Sequence, residues 1–99
     1  MKYCVILTAL SRGEDRLDVN YSFSIERGKT MDNVAEYVIR RDERYNRQFD
    51  GRGDASSHQT SYLCCTHDNI EDADEALAKF DEMSNEEIEH MLYGAWVYD

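Results

Sequence analysis

Alternation is cleanest between residues 17 and 25. Leu17, Val19, Tyr21, Phe23 and Ile25 are separated by Asp18, Asn20, Ser22 and Ser24. Period two is the signature of a strand with one buried and one wet face. Gly28 and Lys29 end the run. The preceding stretch, Lys2–Leu10, has a different pattern. Tyr3, Val5, Leu7 and Ala9 fall on one side, and Cys4, Ile6 and Leu10 on the other. Two apolar faces suit a central strand. The polar segment Ser11–Asp18, which contains Gly13, reads as the hairpin connection.

The period then lengthens. Thr30 is a plausible N-cap for a helix from Met31 to about Gln48. Met31, Val34, Val38, Tyr45 and Phe49 keep near-helical spacing, and Tyr37 and Ile39 widen the stripe. Asp32 and Glu36 come early and Arg40, Arg41, Arg44 and Arg47 late, an order that complements the helix dipole. Residues 50–57, with two glycines, read as a loop. Gln59–Thr66 reads as a third strand centred on Tyr62, Leu63, Cys64 and Cys65. Asp68 and Asn69 then cap a helix over Ile70–Met83 with a stripe of Ile70, Ala73, Leu77 and Phe80. Ser84 with Glu87 matches a capping box for a last short helix, which Gly94 is expected to stop. Ala95–Tyr98 is expected to return as a short fourth strand.

The elements predict an α+β fold. A small antiparallel sheet of three or four strands carries helices packed on one face, in the order β-β-α-β-α-α-β. One domain is expected over residues 1–99. Hydrophobic residues make up 41% of the chain, enough to build a core without disulfide or metal staples. Three cysteines, two of them adjacent, do not suit a secreted disulfide framework, so reduced thiols in a cytoplasm are expected. The apolar run Tyr3–Leu7 is interrupted by Thr8 and lacks a signal-peptide cleavage site. No apolar stretch approaches the roughly 20 residues of a membrane span.

Charge changes this picture more than composition does. The formal net charge is −10. Residues 1–67 hold ten acids and ten lysines or arginines, and cancel. Residues 68–99 hold eleven acids against Lys79 alone, so this third carries the whole imbalance. Helical spacing turns most of these carboxylates away from the apolar stripes. Helix N-termini account for acids in the first turns but not for Glu75, Asp81 or Glu82. Crowding unpaired like charges costs stability, and solubility does not require it. A functional acidic surface needs a cationic partner, and nucleic-acid-binding grooves supply one. Carboxylates one turn apart, about 5.4 Å, make a regular row of negative charge akin to a phosphate backbone. The residues expected to carry partner binding are Glu71, Asp72, Asp74, Glu75, Glu82, Glu86 and Glu87.

In size, acidity and the stretch Asp68–Glu89, the chain resembles the small counter-defence inhibitors of phages and mobile elements. These include anti-CRISPR and anti-restriction proteins that act as nucleic-acid mimics. The resemblance implies a non-enzymatic phage protein in a host cytoplasm. It would occupy the basic nucleic-acid-binding groove of a larger protein, without a cofactor and without touching nucleic acid or membrane itself. The neutral first two-thirds depart from mimics that are acidic throughout, which favours plugging one local basic site over imitating a long duplex.

Other constellations support bland readings. Arg40, Arg44 and Arg47 share a helix face, but dipole complementation and pairing with Asp42, Glu43 or the acidic helices account for them. In Cys64-Cys65-Thr66-His67, alternation sends the adjacent thiols to opposite faces, against a tetrahedral metal site. Buried cysteines acting as small apolar residues are expected instead. Arg52-Gly53-Asp54 resembles an integrin-binding motif but reads as a turn. Tyr93, Trp96 and Tyr98 are read as core aromatics. Placed on an edge strand, Trp96 and Tyr98 would instead favour the alternative function, a small interaction module or homodimer joined through apolar and aromatic surface.

Overall fold

The computed structural model describes residues 1–13, 18–49 and 57–97, with side chains described up to Leu92. Three strands, β1 (Lys2–Arg12), β2 (Asp18–Gly28) and β3 (Ser57–His67), form one antiparallel sheet in the order β2-β1-β3. Three helices complete the described chain: α1 (Met31–Phe49), α2 (Ile70–Asp81) and α3 (Asn85–Val97). The doubly apolar segment is indeed the central strand. Cys4, Val5, Ile6 and Leu7 are all buried, whereas β2 keeps the alternation of exposed Asp18, Asn20 and Ser22 with half-buried Val19, Tyr21 and Phe23.

The chemistry expected at the element ends is present. Gly13, at φ 88°, takes the chain out of β1 in a conformation that side chains disfavour. Thr30 Oγ1 accepts the Asn33 N–H at 3.1 Å at the start of α1. Asn69 Oδ1 accepts the Asp72 N–H at 2.9 Å and caps α2. At α3 the capping box is reciprocal. Ser84 Oγ accepts the Glu87 N–H at 3.2 Å, and Glu87 Oε1 accepts from the Ser84 N–H at 3.4 Å.

The expectation of helices on one face does not hold. Cys4 and Ile6 pack with Val34 and Val38 of α1. Phe23, paired with Leu7 and therefore on the opposite face, stacks on Phe80 of α2 with ring centroids 5.1 Å apart. Tyr21 shares that second face and donates its hydroxyl to Glu89 Oε1 of α3 at 3.3 Å. The sheet is thus sandwiched, with α1 on one side and α2 and α3 on the other. A central strand apolar on both sides demands such cover.

The described residues also form no fourth strand. The helix runs through Gly94 and takes in residues 95–97, while Tyr98 lies outside the described residues. One glycine costs a helix only about 1 kcal/mol relative to alanine and does not by itself end it. This removes the edge-strand position proposed for Trp96.

Candidate functional site

On α2, Ala73 is fully buried and Phe80 packs on the sheet, which fixes the inward side of the helix. Glu71, Glu75 and Glu82 lie opposite, four and seven residues apart, and form an outward row. Asp74 lies on one flank of this row and Asp72 on the other. Ile88 is buried beneath α3, which turns Glu86 outward and leaves Glu87 on the flank nearest Ser84. All seven of these carboxylate residues are exposed.

Their partners differ. Asp72 accepts a bond from the Asn69 side-chain amide at 3.0 Å, and Glu87 is engaged in the capping box. Glu75 meets Lys79 at 4.0 Å, an exposed one-turn pair that contributes only about 0.3–0.5 kcal/mol. Among the described residues, Glu71, Asp74, Glu82 and Glu86 have no ion-pair partner. Asp68, just ahead of α2, is bonded to Lys2, and that ammonium holds its carboxyl below the usual carboxylate range. Asp72 and Glu75 also border a groove of about 480 Å³ with His67, Lys79, Phe80 and Met83.

The arginines of α1 do not neutralise this surface, because the sheet lies between them and α2. Arg40 pairs with Glu36 one turn earlier. Arg41 turns inward. Its guanidinium donates to Glu26 Oε1 at 3.2 Å, Thr8 Oγ1 at 3.2 Å and Ser61 Oγ at 3.1 Å. Asp42 Oδ1 accepts from Gln59 Nε2 at 2.6 Å and from Ser61 Oγ at 3.0 Å. Asn46 exchanges two bonds with the Gln59 backbone. This network was illegible in the sequence, since Thr8, Glu26 and Ser61 are remote along the chain from Arg41. The only hint was a row of polar residues on the wet face of β2 and β3.

The thiols present a different chemistry. Val5 pairs with Cys65 but Ile6 pairs with Leu63, so Cys64 is the extra residue of a β-bulge and strict alternation fails there. Cys65 Sγ and His67 Nε2 lie 3.1 Å apart. Burial pushes both the Cys64 and Cys65 thiols upward, and the neighbouring thiol adds to the rise at Cys64. An activated nucleophile needs the opposite shift. Among the described residues, no three His, Cys, Asp or Glu side chains stand close enough together to hold a metal ion. Nor does any described helix have the length and apolarity to cross a membrane. The Arg52-Gly53-Asp54 tripeptide lies outside the described residues.

Compared with known protein families, curated proteins and solved structures, the chain shows no significant match.

Proposed function

We propose that the protein is a non-enzymatic inhibitor that uses α2 and the start of α3 to occupy a basic, nucleic-acid-binding surface of a larger protein. The observation that carries this reading is the outward row Glu71, Glu75 and Glu82, with Asp74 and Glu86 beside it. It is exposed, largely without cations of its own, and separated from the α1 arginines by the sheet. A solvated helix face kept only for solubility would gain from interspersed lysines, and this one has Lys79 alone. The helix backbone that carries these carboxylates is already ordered, so on meeting a cationic groove only the side chains lose freedom. Long-range attraction speeds encounter, and salt weakens it. Anti-defence action in a host cytoplasm, of the anti-CRISPR or anti-restriction kind, is the biological setting that fits best.

The test is capture from a bacterial lysate at low salt, followed by elution with rising salt. The expected result is a nucleic-acid-binding protein that elutes early in the gradient and whose bound nucleic acid is displaced by this chain. Capture of a protein whose nucleic acid stays bound would remove the reading.

A further inference from the structure

We infer that the groove between one flank of α2 and the end of β3 seats an arginine side chain of the partner's basic surface. This rests on the reading of α2 as the surface that meets such a partner, and names the group it grips. The groove measures about 480 Å³. Asp72, Ala76, Phe80 and Met83 border it at steps of four, four and three residues, so a single flank of α2 forms its long wall. Met83 lies just past the helix, and its N–H donates to the Phe80 carbonyl at 3.0 Å, which keeps it on the helical path. His67, the last residue of β3, stands at the facing wall, with Nε2 3.1 Å from Cys65 Sγ.

The lining divides into two chemistries. Ala76, Phe80 and Met83 are apolar and half-buried, and Phe80 is held in place by its stack on Phe23. On the same flank, Asp72 and Glu75 are exposed carboxylates three residues apart, neighbours on the helix surface. The Asn69 amide, 3.0 Å from Asp72 Oδ2, orients the first of them. Lys79 also borders the groove but is a loose partner, 4.0 Å from Glu75 with its side chain 78% exposed.

Charge and chemistry select the occupant. A purely apolar side chain would cover Ala76, Phe80 and Met83 but strip water from Asp72 and Glu75 without pairing them. A lysine ammonium keeps its hydration and is served equally well by the open row Glu71, Glu75 and Glu82. An arginine satisfies both parts of the groove. Its methylenes lie along Ala76 and Met83, its weakly hydrated plane stacks on Phe80, and its forked donors meet the two carboxylates. The net charge of −10 draws the cation in, and arginine is a residue that nucleic-acid-binding surfaces use to grip phosphate.

Hexaarginine and hexalysine, equal in charge, are the probes, each titrated into the intact chain at one salt concentration while the Ala76 and Met83 methyl signals are followed by NMR. Hexaarginine should bind about three- to fivefold more tightly than hexalysine and should shift both methyls. Ala76→Leu fills the groove, and separately Met83→Gln makes its lining polar. Each should remove the preference for arginine while leaving hexalysine binding at the parent level, which also shows that the fold is intact. Equal affinity for the two peptides would overturn the proposal, as would a preference that survives either substitution, and both results leave the attraction of α2 for cations standing. Binding of neither peptide would overturn the proposal and the reading of the acidic face together.

Discussion

The two helical layers treat charge in opposite ways. On the α1 side, acids and bases are equal in number, and Glu36, Arg40, Arg41 and Asp42 are paired within the fold. Arg41 ties α1 to Glu26 of β2, Thr8 of β1 and Ser61 of β3, and Asp42 and Asn46 secure the same helix to β3. On the α2–α3 side, charge is nearly all of one sign, exposed, and mostly without partners. Charge on the first layer therefore holds the structure together, while charge on the second is tolerated by it. A surface that contributes little to its own fold, and works against it by repulsion, is where an external partner is the more economical explanation.

The largest effect on stability should come from the α1 side. Arg41→Met removes the only cation near Glu26 and Asp42 among the described residues, whose side chains are only 25% and 13% exposed. Loss of a fully buried partner costs about 3–5 kcal/mol, and partial exposure reduces this to about 2 kcal/mol. A denaturation midpoint measures it. An unchanged midpoint would erase the contrast between the layers.

Next is Ser84→Ala, which dissolves the capping box that starts α3 and should cost about 1 kcal/mol. The loss should appear as faster amide exchange at Glu86 and Glu87. Smaller again is the effect of reversing acids on α2. Asp74→Lys, Glu75→Lys and Glu82→Lys together should leave stability within about 0.5 kcal/mol of the parent, since repulsions are relieved as the Lys79 pair is lost. A large destabilisation in thermal melts would mean these acids do support the fold.

The least effect concerns Asp68. Its folded-state pKa is lowered by Lys2. The stabilisation from this pair is therefore complete above the ordinary carboxylate pKa and is lost as pH falls through the lower folded value. In a carboxyl-carbon NMR titration, Lys2→Met should move the Asp68 midpoint upward and remove that stretch of pH dependence.

Much of the fold was legible because burial periodicity is local. Val19, Tyr21 and Phe23 announced β2, Ala73 and Phe80 announced α2, and Ser84 with Glu87 announced α3. The doubly apolar β1 already required two covering layers, yet element order alone suggested one. Which face a helix crosses to is set by connections and tertiary packing, not by its own stripe. Gly94 misled because a helix tolerates one glycine, and the bulge at Cys64 carried no glycine to mark it. The acidic face was readable from spacing, since α2 is amphipathic and the core residues fix where the carboxylates point. The Arg41 network was not readable, because its partners meet only when three strands assemble. Nor was the outer position of β3, because no sequence pattern says which strand ends up at the edge.

The central claim is that binding runs through α2 and not through α1. The most direct test compares three proteins against the captured partner over a salt series: the parent, the α2 charge reversal, and a matched α1 reversal, Arg40→Glu with Arg44→Glu. The account predicts parent affinity that falls steeply with salt, loss on the order of 100-fold for the α2 reversal at low salt, and near-parent affinity for the α1 reversal. Binding that survives the α2 reversal and fails with the α1 reversal would contradict it.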